Sequence, residues 1–331
     1  MTEGIRFVTQ ICRTALLGVT FAFVLLGAAS ADGRDPGSLV AILVTAVAYH
    51  VAVYAWNDVI DLPLDRTQPR RATSPLVRGV IGPRAVAAFA TACGALALAL
   101  AAAEGRDALL WMAGALGLLA VYNVAGKRLR ASPLSDVVQG AGWAALVAYA
   151  ASAAGSPSDD TLWTCVYTVL AIALINGVHG GVRDLPTDHA AGARTTAILL
   201  GARPLPGGGA RVSRALAVYG FAVQAAMIGV LLAGLAAGGG AAVLARMGLT
   251  LTGGALAVAL LAYGLAQAGG ERSWVAGLLH LLLVLVLPVV LVADRLDTTL
   301  AVLFAVLFTG PWATVGPALR RGRAARAWVD A

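Results

Sequence analysis

The sequence predicts an all-α, multi-pass integral membrane protein. Three observations carry that prediction. Of 331 residues, 59% are hydrophobic, and mean hydropathy is +0.82, against roughly 45–50% apolar residues in a soluble domain. Charged residues make up only 12% of the chain. Apolar runs of about 20 residues, the length that crosses a bilayer as a helix, recur from one end to the other.

In chain order the candidate spans are 7–29, 37–56, 83–103, 107–123, 134–154, 161–181, 212–237, 241–268, 274–293 and 298–317. The fourth is short, and Arg246 interrupts the start of the eighth. The first ends in Ala29-Ser30-Ala31, a small-residue pattern like that of a signal-peptide cleavage site. Its length favours a span over a cleaved leader. No linker or soluble domain stands out, so residues 1–331 are read as one multi-pass domain.

The connecting loops alternate in charge. Segment 57–84 carries Arg66, Arg70, Arg71, Arg78 and Arg84; 124–133 carries Lys127, Arg128 and Arg130; 182–211 carries Arg183, Arg194, Arg203 and Arg211. The loops between them, "SADGRDPG", "EGRD" and "GSPSDD", are neutral to acidic. The positive-inside rule places the three basic loops, and the N-terminus with Arg6 and Arg13, in the cytoplasm of a cell-membrane protein. The net charge of +7 is therefore mostly topology. No basic stripe with interleaved aromatics supports nucleic-acid binding. Cys12, Cys93 and Cys165 all sit inside apolar runs and read as small apolar filler.

Against this background two short acidic stretches stand out. "YAWNDVIDLPLDRTQPRR" places Asn57, Asp61 and Asp65 at i, i+4 and i+8, one stripe on a helix, with Asp58 rotated off it. "GVRDLPTDHAAGARTTAILLG" repeats the spacing with Asp184 and Asp188. Pro63 and Pro186 imply that each motif lies at a kinked or ending helix rather than mid-helix. Clustered carboxylates repel unless cations compensate them. Oxygen-only donors, with no Cys or His, suit Mg²⁺ or Ca²⁺, and Mg²⁺ commonly completes its shell with substrate phosphates. Nearby Arg and Lys would neutralise the remaining phosphate charge. A single pair of this kind reads as solvated Asp at a membrane exit; two copies at span ends on the same side point to a diphosphate site.

The residues "NDVIDLPLD" and "DLPTD" resemble the two acidic signatures of the UbiA-type intramembrane prenyltransferases. "RDLPTDHAAGARTTAILLG" is similar to the second-motif run of the menaquinone-pathway branch, and "VYNVAGKRLRASPLSDVVQG" to the family's Tyr-then-Lys segment. "SPLVRG" at 74–79 resembles a further family element, with Ser74 in place of the usual Arg. The resemblance covers about residues 7–210. It implies nine rather than ten helices, bundled around a central cavity, with Mg²⁺ and a prenyl diphosphate at the cytoplasmic mouth. The implied chemistry is loss of diphosphate and attack on the allylic cation by an aromatic or quinone-precursor acceptor. By position it implies Asn57, Asp61, Asp65, Asp184 and Asp188 as the Mg²⁺–diphosphate set, with Asp58 beside them. It implies Lys127 and Arg128 as phosphate partners, joined by Arg66, Arg71 and Arg194, and Tyr122 as a cavity tyrosine. Arg70, Arg71 or Arg78 would stand in for the missing Arg at 74.

Other polar residues carry two readings each. His50, two turns deeper than Asn57, is either an acceptor contact or base, or a buried residue hydrogen-bonded to a neighbouring helix; the second is favoured. His179 and Asn176 lie just before the second motif and divide the same way. His189 reads as a loop residue, and His280 as part of a late scaffold of four spans with few polar residues. Trp56, Trp111 and Trp143 read as packing or interface residues. Arg13 is either a topology anchor or the partner of an acceptor carboxylate. Two alternatives remain: a cyclase of the same fold that folds the prenyl chain on itself, and a cation transporter with intramembrane carboxylates. The span-end position of the acidic residues argues against the transporter.

Overall fold

The computed structural model describes residues 3–68, 71–126, 132–206, 209–240, 242–268 and 271–313. Helices dominate. The long ones are α2 (Leu17–Ser30), α3 (Leu39–Asp65), α4 (Pro83–Glu104), α5 (Arg106–Ala125), α6 (Ser132–Ala154), α7 (Asp159–Leu174), α11 (Arg214–Gly238), α12 (Val243–Ala266), α13 (Glu271–Val286) and α15 (Thr298–Ala313). Short helices fill the gaps: α1 (Glu3–Arg6), α8 (Gly181–Arg183), α9 (Leu185–Ala190), α10 (Thr196–Leu199) and α14 (Val289–Val292). A two-residue ribbon, β1 (Arg203–Pro204) against β2 (Ala210–Arg211), closes the loop after α10.

Among the described residues, eight helical segments are long and apolar enough to cross a membrane, or nine when the bent pair Glu3–Ile11 and Thr14–Ser30 counts as one span. Of the tenth expected span, 298–317, the described part is helical over Thr298–Ala313, and positions 314–317 lie outside the described residues.

Burial sorts the helices. In α2, "LGVTFAFVLLGAAS", 12 of 14 residues are buried, because a helix apolar all round belongs in the middle of the bundle. By contrast α4 buries only Val86, Ala90, Ala97 and Ala101, one inner stripe, and turns Phe89 and Leu96 outward. Lipid tails are as apolar as leucine, so helices associate through close packing of small residues. A Cβ on Gly27 of α2 would lie 2.3 Å from the Val147 carbonyl of α6, and one on Gly140 of α6 would lie 2.7 Å from the Val169 carbonyl of α7.

The end opposite the acidic motifs is tied by ion pairs. Arg295 reaches Asp32 at 2.5 Å and Asp160 at 2.8 Å, and Arg246 reaches Asp294 at 2.9 Å. Arg246, expected to interrupt its span, thus sits at that end.

The first span is not the continuous run 7–29 that composition suggests. It breaks at Cys12–Arg13, with a π turn at Phe7–Ile11 before the break and a 3₁₀ turn at Thr14–Leu16 after it. Arg13 takes φ 43°, ψ 48°, the left-handed region, which costs a non-glycine residue of order 1–2 kcal/mol. Such a break leaves carbonyls without helical partners, and His50 of α3 satisfies them. Its Nε2 lies 3.1 Å from the Cys12 carbonyl and 3.2 Å from the Arg13 carbonyl, while its Nδ1 lies 2.7 Å from the Thr20 hydroxyl. Only one tautomer fits: Nε2–H donates to the carbonyls and Nδ1 accepts from Thr20. His50 is therefore a buried cap on the broken helix. Replacing it with Leu orphans those groups, and a loss of about 1–3 kcal/mol is expected. A thermal midpoint of the detergent-purified protein several degrees below wild type would register it; an unchanged midpoint would mean the break stands without His50.

Candidate functional site

The first acidic motif occupies the last turns of α3. The helix runs through Pro63 and ends on Asp65, so the expected helix-end placement holds. Two stripes separate here. On one, Asn57 Nδ2 donates to Asp61 Oδ2 at 3.2 Å and to Asn123 Oδ1 of α5 at 3.3 Å. On the other, Asp58 is fully buried and held by two arginines. Arg13 Nη2 donates to Asp58 Oδ1 and lies 3.4 Å from Asn57 Oδ1. Arg71 Nη2 lies 2.7 Å from Asp58 Oδ2, an ion pair rather than a well-aligned hydrogen bond, and Arg71 Nε donates to Asp65 Oδ2 at 2.9 Å. The Arg13 guanidinium also sits 5.2 Å from the centre of the Tyr54 ring. Tyr54 packs on Trp143, whose ring meets Tyr49 and Phe23. An aromatic floor thus lies beneath the charged cluster, with Trp143 packed inside it. Trp56 and Trp111 stay largely exposed.

The second motif straddles a break. Asp184 separates α8 from α9, with φ −91° and ψ 0°, and Pro186 opens α9. Arg183 donates to both Asp184 oxygens at 2.9 Å. Asp188 is buried at the far end of the motif.

The two motifs converge. Tyr122, at the last turns of α5, lies within electrostatic reach of Asp61, Asp184 and Asp188, and also of Asp136 in α6. Arg183 likewise interacts with Arg13 and Asp188, and Tyr54 with both arginines. One end of the bundle therefore gathers Asn57, Asp58, Asp61, Asp65, Tyr122, Asp184 and Asp188, together with Arg13, Arg71 and Arg183.

Other expected residues fall differently. Arg66 and Arg194 are exposed at loop positions. Lys127, Arg128 and Arg70 lie outside the described residues. Ser74 is buried, and Arg78 pairs with Glu3 at 2.6 Å, away from the cluster. Of the arginines considered as stand-ins at position 74, Arg71 is the one seen among the carboxylates. His189 is exposed at the end of α9.

Several residues near the site escape sequence reasoning. Arg183 reads there only as a topology charge. Asp136 accepts from the Thr196 hydroxyl at 2.5 Å, linking α6 to α10; the "SDVVQG" stretch gives no hint of this. His280, expected to be scaffold, contacts His179 at 2.7 Å.

All donors in the two motifs are oxygens, the set a hard divalent cation takes. Among the described residues, no group of three or more His, Cys, Asp or Glu is drawn together enough to hold a metal unaided. The donor set suits an ion that draws its other ligands from water and phosphate, as Mg²⁺ does.

Comparison with known proteins agrees with this architecture. A UbiA homologue from Archaeoglobus fulgidus bound to GPP and Mg²⁺ superposes with a TM-score of 0.67 at 18% identity, covering 94% of this chain and 99% of the other. A UbiA homologue from Aeropyrum pernix K1 gives 0.64 at 23% identity, covering 87% and 99%. In sequence, polyprenyl transferase trt2 of Aspergillus terreus is 33% identical over 150 residues, 44% of this chain and 42% of that protein. The C(50) beta-cyclic carotenoids biosynthesis protein LbtBC of Dietzia sp. is 26% identical over 213 residues, 61% and 46%. The chain thus spans less than half the length of these curated relatives. The model of the UbiA prenyltransferase family matches residues 16–276, and the chain belongs to that family.

Proposed function

We propose that the protein transfers a prenyl group, in a Mg²⁺-dependent reaction within the membrane, from a prenyl diphosphate to an aromatic or quinone-precursor acceptor. The observation that carries this reading is that both acidic motifs meet at one end of the bundle: Asp61, Asp184 and Asp188 all lie within electrostatic reach of Tyr122, and Arg183 within reach of Arg13 and Asp188. Family membership supports it, as do structural neighbours bound to GPP or DMAPP with Mg²⁺.

On this reading Asn57, Asp61, Asp65, Asp184 and Asp188 hold the metal. Bound there, Mg²⁺ would neutralise charge developing on the leaving diphosphate. The chain's own cations do the rest. By the family resemblance Lys127 and Arg128 would pair with the phosphates, joined by Arg66 and Arg194, while Arg71 and Arg183 lie within the cluster. Positioned charges of this kind cost no reorganisation as the allylic C–O bond breaks. Asp58 serves as the anchor for Arg13 and Arg71. Tyr54 and Trp143 pack ring against ring beneath the cluster, an apolar surface that would slow capture of the cation by water.

We further propose that the basic loops 57–84, 124–133 and 182–211 share the cytoplasmic face of the cell membrane. Gln10 hydrogen-bonds Thr73 at 2.9 Å and Asn57 meets Asn123, consistent with one shared mouth. Single cysteines placed in each loop are expected to resist an impermeant thiol reagent in intact cells and to react after lysis. Labelling of any of the three from outside breaks the shared mouth.

Asp61→Ala and Asp184→Ala are each expected to abolish Mg²⁺-dependent diphosphate release while leaving membrane insertion intact; near-full turnover by either variant removes that cluster from the metal site. Products separate the two chemistries of this fold. A hydrocarbon formed from prenyl diphosphate alone indicates a cyclase, and an adduct formed only with an aromatic acid or naphthoate indicates the transferase.

Lys127 gives a sharper test. A compact ammonium suits a terminal phosphate oxygen. Lys127→Ala is expected to slow steady-state turnover by roughly 10²-fold, the scale of losing one preorganised donor, and Lys127→Arg to recover part of that. Wild-type rates for Lys127→Ala return this lysine to a topology role.

A further inference from the structure

The arginines that follow the second motif have no acidic counterpart. Between Asp188 and Glu271 the sequence contains no Asp or Glu, yet Arg194, Arg203, Arg211 and Arg214 crowd into positions 194–214. Arg203 Nη1 donates to the carbonyls of Ile198 and Ala202, at 3.4 and 3.0 Å. Arg211 and Arg214 are exposed and enter no ion pair among the described residues. Across the ribbon Arg203 stands directly opposite Arg211. Like charges so placed are destabilising, and an anion beside them relieves that cost.

A cleft of about 300 Å³ opens next to Arg214, between the first turns of α11 and the last turns of α12. Ser213 and Arg214 line its polar end, and Ala217, Phe221, Ala262 and Leu265 line an apolar remainder. Arg214 and Phe221 are seven residues apart, roughly 10 Å along the helix, the depth of the boundary between headgroups and acyl chains. Ala262 is exposed, so the cleft opens on the outer surface of the bundle. Tyr263 beside it is 46% exposed, as aromatic rings are at a membrane–water interface. The cleft wall is also joined to the segment that follows the second motif. The Ser213 hydroxyl donates to the Leu200 carbonyl at the end of α10, and the Ala210 N–H of the ribbon donates to the Ala268 carbonyl after α12 at 3.5 Å.

We propose that this cleft binds an anionic phospholipid of the bilayer, its phosphate against Arg214 in the field of Arg211, and the start of one acyl chain along Ala217, Phe221 and Leu265. Basic pockets between transmembrane helices take such headgroups. The volume is at the lower bound of small-ligand sites, so the rest of the lipid stays in the bilayer. A prenyl diphosphate also joins phosphate to hydrocarbon. Its greater charge calls for a divalent cation held by carboxylates, and the segments that line the cleft contain none. The single charge of a phosphodiester is matched by guanidinium alone. A zwitterionic lipid carries its own cation and gains less from the arginines. Bound here, an anionic lipid offsets the facing charges of the ribbon and bridges the ribbon, α11 and α12. The site lies outside the acidic cluster, and the proposal does not depend on the prenyl-transfer reading.

The test is native mass spectrometry of the full chain in mild detergent, with equal amounts of dioleoylphosphatidylglycerol and dioleoylphosphatidylcholine added. Wild type is expected to retain the anionic lipid over the zwitterionic one by about fivefold or more. Arg214→Gln is expected to lower that ratio about fivefold, the scale of one cation near an anionic lipid. Ala262→Phe fills the cleft without changing charge and is expected to lose the tightest-bound anionic lipid. Arg84→Gln, an exposed arginine at the start of α4, is the control and is expected to keep the wild-type ratio. Thermal midpoints matching wild type establish that all three variants are folded. Equal retention of the two lipids by wild type overturns the proposal. So does a ratio that survives both Arg214→Gln and Ala262→Phe, since the lipid then sits elsewhere. A ratio lost in Arg214→Gln but intact in Ala262→Phe reduces the effect to interfacial charge and overturns the cleft. Displacement of the lipid by geranyl diphosphate without Mg²⁺ makes the cleft a substrate site and overturns the phospholipid.

Discussion

The end of the bundle that holds the acidic motifs is organised by one buried carboxylate. Asp58 has no exposed surface, and an isolated carboxylate at such a position in a membrane protein is prohibitively costly. Two arginines compensate it from different directions. Arg13 arrives because the first span breaks beside it. Arg71 arrives because the chain after α3 folds back, and the same guanidinium holds Asp65 at 2.9 Å. Both excursions are pinned a second time, by Gln10 to Thr73 at 2.9 Å and by Glu3 to Arg78 at 2.6 Å. The neighbouring stripe, Asn57 and Asp61, is thereby carried on a helix end clamped on two sides.

The clamp imposes a cost elsewhere. A left-handed Arg and two carbonyls released from the helix would not persist at that depth without compensation. His50 and Thr20 supply the hydrogen bonds, and Asp58 and the Tyr54 ring supply the electrostatics. Local strain at Arg13 is thus tied directly to the geometry of the acidic motif. Backbone strain that surrounding structure over-determines tends to lie at functional sites, and here it delivers a guanidinium to within 3.4 Å of Asn57.

The parts legible in the sequence are those that local periodicity encodes. Apolar runs mark the spans, and the i, i+4 spacing with a central proline marks both acidic motifs and their position at helix ends. The break at Cys12–Arg13 was hidden because "ICRT" contains neither Gly nor Pro, and the energy that stabilises it comes from Asp58 and His50, more than 35 residues away. The His179–His280 contact joins residues 101 apart, and helices whose apolar faces are uniform give no clue to which neighbour they meet.

The two acidic motifs, alike in sequence, are built to different tolerances. The first lies on one continuous helix, and its Asp58 is compensated by long-range, buried arginines; removing one partner of such a pair costs on the order of 3–5 kcal/mol. The second is split by a backbone break at Asp184, whose partner is the adjacent Arg183, 41% exposed in its side chain. An exposed pair of that kind is worth about 0–1 kcal/mol, so Asp184 and Arg183 exchange partners at little cost while Asp58 does not. On the proposed reading this division suits the chemistry. Incoming metal and diphosphate together offer Asp184 a cation and Arg183 an anion, each at the expense of a weak contact. The first motif meets the same ligands as a fixed wall. Rigidity on one side and cheap exchange on the other allow the site to engage a highly charged headgroup without first breaking the buried pair that holds the helix ends together.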